Sequence, residues 1–275
     1  MIRSDISLSS LTTVGVGTIA EVIMPENVSE MSDVNEDIVI LGAGSNVLFS
    51  DHRRFRILST SMLTEIYREK DGVYIGAGVT SPKMLSFFLK HGLGGAEFLS
   101  GIPGSAGGLL TMNAGAFGKS MQSIVTRVYC YDLLKREEIF LKADEIDFSY
   151  RKVSIDRNLC VTGIKVRLED EDETLIRKSI RKNRQHRMKV HPRSNRSFGS
   201  AFRNPEGKRA WKLICECGLS GSRRGDAVIS PKHCNFIINL GRASFADVCY
   251  LLELCREKVY NRFNIKLEYE VKIYT

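Results

Sequence analysis

The chain has 275 residues, of which 43% are apolar and 26% are charged, and its formal net charge is +8. These proportions are typical of a globular protein and exclude a disordered or fibrous chain, and the length predicts about two domains. The longest apolar run, Val248 to Leu252, is far shorter than the roughly 20 residues that a membrane-spanning helix needs. Because residues 1–10 lack the apolar segment of a secretory signal, we expect a cytoplasmic protein.

The cysteine pattern argues against covalent or metal crosslinks. Seven cysteines lie between positions 130 and 255, and no two of them form a C-x-x-C pair. An odd number of cysteines without metal-ligand spacing does not indicate a disulfide framework or a zinc site. We therefore predict reduced, mostly buried thiols and no bound metal.

Short apolar runs predict strands in the first 80 residues. These strands are Asp37–Leu41, Arg56–Leu58 and Val73–Ile75. Two of them end in a Gly-Ala-Gly turn, at 42–44 and 76–78, which indicates backbone that passes close to other atoms. Val47 and Ser81 occupy the third glycine position of a dinucleotide fingerprint, so a Rossmann site is not expected.

A helix is predicted after the second of these turns. Ser81 can act as its N-cap, and Pro82 is favoured at the first helical position. Met84 and Phe88 belong to an apolar stripe at helical spacing, and Gly92 is a natural end.

Residues 92–118 contain nine of the 23 glycines of the chain. A flexible linker would explain such a density, but linkers are polar, whereas this stretch includes Phe98, Leu110 and Phe117. We therefore predict packed backbone that lies against a ligand. Residues 118–120 resemble the end of a phosphate-binding loop, but Asn113 stands where the first glycine of that motif belongs, so an NTPase is not expected.

The second half of the chain is predicted to continue with strands and two long helices. The predicted strands are Ser123–Tyr131, Glu138–Leu141, Leu159–Leu168 and Lys266–Tyr274. An acidic turn at 169–173 indicates a boundary, and a basic helix begins near Thr174. Ser244 and Asp247 form a capping-box pattern before a helix that runs to about Phe263.

The positive charge is concentrated in one window. Residues 177–209 contain twelve Lys or Arg and one acid, Glu206, so this window accounts for more than the whole net charge. A local basic patch indicates an anionic ligand, but it does not distinguish nucleic acid from a phosphorylated small molecule, and it is also typical of a solvated helix face.

Six motifs, in this order, resemble one known family, and the second of them consists of two neighbouring segments, 98–108 and 112–118. They are Leu41–Asp51, Phe98–Gly108, Met112–Gly118, Tyr150–Arg151, Gly199–Pro205, His233–Asn239 and Leu267–Val271. Together they resemble the UDP-N-acetylenolpyruvoylglucosamine reductase (MurB) family, and the resemblance extends from Leu11 to the C-terminus. The short distance from Tyr150 to Ser200 is similar to the type II form of the family, which lacks a substrate-covering insert.

The resemblance implies an α+β fold with two regions. Residues 1–172 would form a two-lobed FAD-binding region of the vanillyl-alcohol-oxidase/PCMH type, with lobes at about 1–75 and 76–172. Residues 173–275 would form an α+β substrate-binding domain. The implied protein is a monomer that binds small molecules only, neither nucleic acid nor membrane.

The resemblance also implies the reaction. FAD, held without a covalent bond, would be reduced by NADPH and would then reduce the enolpyruvyl group of a UDP-sugar to give UDP-N-acetylmuramate for peptidoglycan synthesis. The implied FAD-binding residues are Gly42, Ala43, Gly44, Ser45, Asn46, Gly101, Ile102, Pro103, Gly104, Ser105, Gly107, Gly108, Asn113, Ala114 and Gly115.

Three residues match the catalytic positions of the family. Ser200 would donate the proton, and Arg151 would stabilise the carboxylate that gains negative charge. Glu270 would be protonated, or would orient Arg151 or a water; Glu268 has the same side-chain parity along a strand, and only the resemblance favours Glu270.

Three further residues match substrate-binding positions of the family, namely Tyr150, Arg203 and Asn204. Arg203 occupies a place usually held by lysine, and Phe198 replaces a smaller residue. The basic window would then attract two anionic nucleotides, NADPH and the UDP-sugar.

Two other functions fit parts of the sequence. Another flavoenzyme on the same scaffold, such as an oxidase of small alcohols, would share the glycine loops but would not need Ser200, Asn204 and Glu270 together. A nucleic-acid-binding module would use the basic window, and such a protein would be colourless when purified.

Overall fold

The computed structural model describes residues 1–34, 38–192 and 196–275. The strands are β1 (Ile2–Ser7), β2 (Ile19–Met24), β3 (Val39–Leu41), β4 (Val47–Phe49), β5 (Arg56–Ser59), β6 (Ile66–Glu69), β7 (Gly72–Gly76), β8 (Leu93–Gly94), β9 (Gly115–Ala116), β10 (Lys119–Ser120), β11 (Val125–Asp132), β12 (Glu137–Lys142), β13 (Phe148–Ser149), β14 (Lys152–Val153), β15 (Leu159–Val166), β16 (Glu169–Asp170), β17 (Arg223–Arg224), β18 (Ala227–Ile229), β19 (Ile237–Asn239) and β20 (Lys272–Tyr274). The α-helices are α1 (Leu8–Leu11), α2 (Ser81–Lys90), α3 (Ala106–Thr111), α4 (Glu173–Val190), α5 (Ala210–Glu216) and α6 (Phe245–Phe263).

The described residues form two compact units, each built from several segments of the chain. Unit 1 consists of Met1–Ser4, Glu21–Ala43 and Arg56–Arg187, and unit 2 consists of Asp5–Ala20, Gly44–Phe55 and Met188–Thr275. The predicted regions 1–172 and 173–275 were defined by the ligands they would bind, and that assignment stays a prediction.

Unit 1 is organised around an antiparallel sheet with the strand order β12-β11-β15-β7-β6. In its central strand, β15, Ile164 lies opposite Val128 of β11, and both of these side chains are buried. Apolar residues of α2 and α3, including Phe88 and Leu110, pack in the same core. In the same unit β2, β5 and β3 run parallel, with Val39 opposite Ile57.

Unit 2 contains the three-stranded sheet β17-β18-β19 and the parallel pair β4 and β20. Its core includes Leu48 from β4, Phe202 from the loop before α5, and Val248 and Leu252 from one face of α6. Val248 and Leu252 are four residues apart and so lie on the same side of the helix. Helix α6 therefore buries an apolar stripe and exposes its charged side.

Most of the predicted elements are confirmed, although their ends shift. The basic helix begins at Glu173, and α6 starts after Ser244 with the predicted capping box to Asp247. The predicted strand Asp37–Leu41 is present as β3; Asp37 itself lies outside the described residues.

Two predictions about local structure are wrong. Ser81 is the first residue of α2 rather than its N-cap, which is Thr80, because the Ser81 hydroxyl donates to the carbonyl of Ile102 instead (2.5 Å). The final strand covers only Lys272–Tyr274, because the N–H groups of both Glu270 and Val271 point to the carbonyl of Ala201, as in a β-bulge.

Candidate functional site

The predicted site residues fall into two groups, one in each unit. Unit 1 holds Gly42, Ala43, Gly101–Ser105, Gly107, Gly108, Asn113–Gly115, Tyr150 and Arg151. Unit 2 holds Gly44, Ser45, Asn46, Ser200, Arg203, Asn204 and Glu270.

In unit 1 the two predicted flavin loops lie against each other at Gly42. A methyl group on Gly42 would place its carbon 2.6 Å from Ser105 Oγ and 3.6 Å from the Cα of Gly108. A larger residue would displace the Ser105 hydroxyl or its loop, because real side-chain carbons do not lie so close to other atoms. The predicted close passage of backbone at residues 42–44 is therefore confirmed for Gly42.

The second Gly-Ala-Gly turn supports the loop that contains Ser105. Gly107 donates its N–H to Ala77 O (3.0 Å), and Ala106 donates to Val79 O (2.9 Å). On the other side, Ser81 N donates to Gly104 O (3.0 Å). These bonds hold the backbone of residues 104–107 in one conformation, so the glycine-rich segment is a packed part of unit 1 and not a linker.

Two buried hydroxyls in this segment have hydrogen-bonding capacity to spare. Ser100 and Ser105 are each only 2% exposed, and neither Oγ has a hydrogen-bond partner among the described residues. Buried polar atoms in proteins are nearly always hydrogen-bonded. A flavin nucleotide, with its many carbonyl and phosphate oxygens, would supply acceptors there, so these residues fit a bound FAD.

Asn113 connects the glycine-rich segment to the predicted catalytic arginine. Its side-chain amide donates to Ser149 O (3.0 Å) and accepts from Gln122 N (3.1 Å). The buried Asn113 side chain therefore fixes the backbone at Ser149, two residues before Arg151.

The backbone and side chain of Arg151 are both fixed within unit 1. Arg151 has a φ of +59°, a conformation that non-glycine residues seldom adopt. Its Nη1 donates to Gly115 O at 3.1 Å, so the guanidinium lies beside a predicted flavin-binding residue. Tyr150 directly before it is 55% exposed, and the centre of its ring lies 5.5 Å from the Arg151 guanidinium carbon.

In unit 2 the segments around Ser200 and Glu270 lie side by side. Glu270 donates its N–H to Ala201 O (2.8 Å), and Arg203 N donates to Glu268 O (2.9 Å). On its other side, Ser200 forms a β-bridge with Phe236. The structure therefore brings the predicted proton donor and the predicted glutamate into neighbouring segments of one unit.

Asn46 links the first predicted flavin loop to Glu270. Its side-chain Nδ2 donates to Glu270 O at 2.9 Å, and its own carbonyl accepts from Lys272 N at 3.0 Å. Like Asn113, Asn46 uses its amide to hold another segment of the site. Glu270 is half-buried at this junction, whereas the Glu268 side chain is 76% exposed and faces Arg203, which favours Glu270 as the site glutamate.

Asn235 is a positioning residue that the sequence did not single out. It is 3% exposed, and its side-chain amide accepts from Phe202 N (2.9 Å) and donates to Phe202 O (2.8 Å). Its carbonyl accepts from Ala201 N. The sequence contains Asn235 in a motif, but only the fold shows that it fixes the backbone next to Ser200.

The remaining predicted substrate residues lie just after Ser200. Asn204 Oδ1 accepts from Ala210 N (3.0 Å) at the start of α5. The Arg203 guanidinium lies 3.8 Å from the Glu268 carboxylate. A cation and an amide therefore follow the predicted proton donor closely, as binding a diphosphate would require.

Comparisons with known proteins define the class of this chain. Residues 14–134 match the family model of an FAD binding domain, and residues 191–274 match the model of the UDP-N-acetylenolpyruvoylglucosamine reductase C-terminal domain. The chain is thus an α+β flavoprotein of the FAD-binding oxidoreductase class, as predicted.

Whole-chain relatives identify the family within that class. The chain is 36% identical to the UDP-N-acetylenolpyruvoylglucosamine reductase of Orientia tsutsugamushi (strain Boryong), covering 98% of this chain and 93% of the relative. It is 38% identical to the enzyme of the same name from Carboxydothermus hydrogenoformans, covering 97% and 91%. The crystal structure of MurB from Thermus caldophilus matches over 100% of both chains with a TM-score of 0.88 at 30% identity. The chain belongs to the UDP-N-acetylenolpyruvoylglucosamine reductase family.

The part of the chain that the structure describes contains neither a candidate membrane span nor a candidate metal cluster. No described helix has both the length and the apolar composition that crossing a membrane requires. Within the same residues, no group of three or more His, Cys, Asp or Glu side chains is arranged to hold a metal ion.

Proposed function

We propose that this chain uses FAD and NADPH to reduce the enolpyruvyl group of UDP-N-acetylglucosamine enolpyruvate, giving UDP-N-acetylmuramate for peptidoglycan synthesis. The observation that carries this proposal is the pairing of the Ser200 segment with the Glu270 segment, in the unit where Asn46 bonds to Glu270. A small-alcohol oxidase on the same scaffold has no use for this arrangement.

The two glycine segments would hold the cofactor. Residues 42–46, 101–105, 107–108 and 113–115 would line it, and the Ser105 hydroxyl would donate to one of its oxygens. When bound, FAD accepts a hydride from NADPH and supplies one to the terminal carbon of the enolpyruvyl group.

The chain's own residues would manage the charge and the proton. When hydride adds to the terminal carbon, negative charge develops on the adjacent carbon and spreads into the carboxylate attached to it. The Arg151 guanidinium would stabilise that charge. Ser200 would donate its hydroxyl proton to that carbon and recover a proton from solvent. A protonated Glu270 could relay that proton, or the carboxylate could orient Arg151 or a water.

Substrate binding would depend on the residues around Ser200 and Arg151. Arg203 and Asn204 would contact the diphosphate of the UDP-sugar, and Tyr150 would contact the sugar end. Asn235 would keep the Ser200 backbone in place without contacting the substrate.

The test separates the two halves of the reaction in Ser200→Ala. NADPH should still bleach the flavin absorbance at the wild-type rate, whereas reoxidation by the enolpyruvyl substrate should slow by at least a hundredfold, as for loss of a positioned acid (~10²–10⁴-fold). Ser222→Ala, a half-buried serine of the same unit, is the control. Ser200→Cys keeps an acidic proton and should retain more reoxidation than Ser200→Ala. Reoxidation of Ser200→Ala at the control rate would reject Ser200 as the proton donor.

We also propose that the protein is a cytoplasmic monomer. Four of its cysteines are buried, and all seven are free thiols, as is usual in reducing compartments. Light scattering after size exclusion should give a mass near the 30.9 kDa of one chain, and twice that mass would contradict the proposal.

A further inference from the structure

Thr13 joins the first predicted flavin loop to the segment that precedes Ser200, within unit 2. Its backbone N–H donates to Gly44 O (3.0 Å), and its hydroxyl donates to Ser197 O (2.6 Å). A hydroxyl has one proton to donate, and Gly44 O lies farther from it, at 3.4 Å. The main chain of Thr13 therefore holds the flavin loop, and its side chain holds Ser197.

Close packing fixes the flavin-loop end of this connection. Gly44 has a φ of +62°, and a methyl group on it would place its carbon 1.9 Å from Leu11 O. Only glycine permits so close a contact between the loop and the chain directly before Thr13. The position of Thr13 is therefore set by the flavin loop.

Thr13 has a counterpart in Asn46, on the same loop. Asn46 connects the loop to the Glu270 segment, through its donation to Glu270 O at 2.9 Å. Thr13 connects the loop to the Ser200 segment. The predicted glutamate and the predicted proton donor are thus both held relative to one loop of unit 2.

Hydrogen bonds hold the Ser200 end of the connection. Gly199 has a φ of +81°, and among the described residues no atom beyond its chain neighbours lies within 4 Å of where a methyl group on it would be. Packing therefore does not define this turn. The buried Ser197 is held by Thr13 on one side of it and accepts a long bond from Gly199 N at its Oγ (3.4 Å), and Ser200 is bridged to Phe236 on the other side.

We propose that Thr13 is a positioning residue for the proton transfer: through Ser197, its hydroxyl holds Ser200 in place relative to the first predicted flavin loop. The identity of Ser200 as the proton donor rests on the proposed function. Thr13 acts on the backbone that carries the donor and not on the substrate.

Thr13→Val tests the hydroxyl alone, because valine has nearly the same shape and keeps the N–H that bonds to Gly44. Thr13→Ser keeps the hydroxyl and is the rescue variant. Thr12→Val is the matched control, since Thr12 is also buried but its hydroxyl bonds to Val16 O within its own turn (3.3 Å).

The first measurement separates the two half-reactions of the holoenzyme. In Thr13→Val, flavin content and reduction by NADPH should stay within twofold of Thr12→Val, because the flavin loop keeps its backbone bond. Reoxidation by the enolpyruvyl UDP-sugar should slow by about tenfold to a hundredfold, the usual effect of a displacement of about 1 Å at a reacting group. Thr13→Ser should recover to within threefold of the wild type. Reoxidation of Thr13→Val within twofold of the control would overturn the proposal.

A double variant separates positioning of Ser200 from general damage to the unit. In a Ser200→Ala background the group that Thr13 positions is absent, so adding Thr13→Val should change reoxidation by less than twofold. A further loss as large as that in the wild-type background would show that Thr13 acts elsewhere and would overturn the proposal.

Amide hydrogen exchange measures the position of the segment without any activity. In Thr13→Val the exchange of a peptide covering residues 197–202, followed by mass spectrometry, should accelerate at least fivefold relative to Thr12→Val, and Thr13→Ser should restore it. Unchanged exchange would overturn the proposal. If the wild-type holoenzyme is not reoxidised by the enolpyruvyl sugar, the proposed function fails, and the exchange experiment alone decides the role of Thr13.

Thr13→Ala keeps the test decisive if Thr13→Val does not fold. It also lacks the hydroxyl and adds no methyl group against Ser197, so the same slowing of reoxidation and the same faster exchange are expected. Wild-type values of both in Thr13→Ala would overturn the proposal.

Discussion

At the scale of single residues, side-chain amides and glycines shape the site more than charged groups do. Asn46, Asn113 and Asn235 each bond to backbone of a distant segment. An amide can donate and accept at once, so one buried asparagine can satisfy two backbone groups. The positions of Ser200, Arg151 and Glu270 therefore depend on neighbours that have no part in the chemistry.

Gly42 gives a residue-scale prediction about flavin binding. In Gly42→Ala the new methyl would lie 2.6 Å from Ser105 Oγ, so the buried Ser105 hydroxyl must turn away or its loop must shift. We expect most of the bound FAD to be lost and stability to fall by about 1–3 kcal/mol, as for overpacking. The ratio of flavin to protein absorbance measures the first effect, and urea unfolding measures the second.

Gly241→Ala is the control for that experiment. Its methyl would lie 3.4 Å from a carboxylate oxygen of Asp226, at the limit of ordinary contact, and Gly241 is in the other unit. Flavin content should match the wild type in this variant. Full flavin content in Gly42→Ala as well would mean that the Gly42 contact is irrelevant to cofactor binding.

At the scale of elements, α6 shows how local signals define a helix. Ser244 Oγ accepts from Asp247 N (3.1 Å), and Asp247 Oδ2 accepts from Ser244 N (3.0 Å). Asn264, in the left-handed conformation, ends the helix. Both ends could be predicted from the sequence within one or two residues, because each signal involves neighbours in the chain.

Asp247→Ala should destabilise the protein by about 1 kcal/mol at pH 7, the usual value of a capping interaction. The hydrogen bonds from Ser244 lower the pKa of Asp247 below its ordinary 3.8. The contribution of Asp247 is therefore present above pH 3.8 and is lost as the pH falls through the lowered pKa. The stability curves of variant and wild type should converge in acid.

Glu257→Ala removes an exposed acid from the same helix and is the control for Asp247→Ala. Its stability at pH 7 should lie within about 0.5 kcal/mol of the wild type. A difference between Asp247→Ala and wild type that stays constant down to pH 3 would contradict the capping explanation.

The last strand and Arg187 show where prediction from sequence stops. Lys266–Tyr274 has the composition of a strand, but the bulge at Glu270 depends on pairing with Ala201, far away in the chain. Arg187 is one of twelve cations in its window, and nothing local distinguishes it from Arg184. Arg187 differs from Arg184 in being partly buried and in donating to Gly101 O, and both differences are visible only in the fold. Recognisable motifs located Ser200, Arg151 and Glu270, but their supporting contacts could not be predicted.

At the scale of the whole molecule, buried thiols make the free energy of unfolding fall as the pH becomes alkaline. Burial raises the pKa of Cys130, Cys160 and Cys255 to about 12, from an ordinary value of 9.0. An unfolded chain would lose these protons near pH 9. The stability they contribute is thus fully present below pH 9 and is lost as the pH rises towards 12.

Urea unfolding between pH 7 and 10.5, with a reductant present, should therefore show a steep loss of stability above pH 9. Each thiol should contribute up to about 1.4 kcal/mol per pH unit. Cys160→Ala should be less stable at pH 7 but should decline less steeply, whereas Cys215→Ala, at an exposed position, should keep the wild-type slope. Equal slopes in all three proteins would refute the assignment to buried thiols.

The way unit 2 is assembled from distant segments has a consequence for biosynthesis. Val47–Phe49 in β4 pairs with Lys272–Tyr274 in β20, so β4 has no strand partner in this pair until more than 200 further residues have left the ribosome. At translation speeds of about 5–20 residues per second that wait is on the order of 10 s or more. During it the backbone of Val47, Leu48 and Phe49 lacks the parallel partner that it has in the folded protein, so this part of unit 2 is completed only at the end of synthesis.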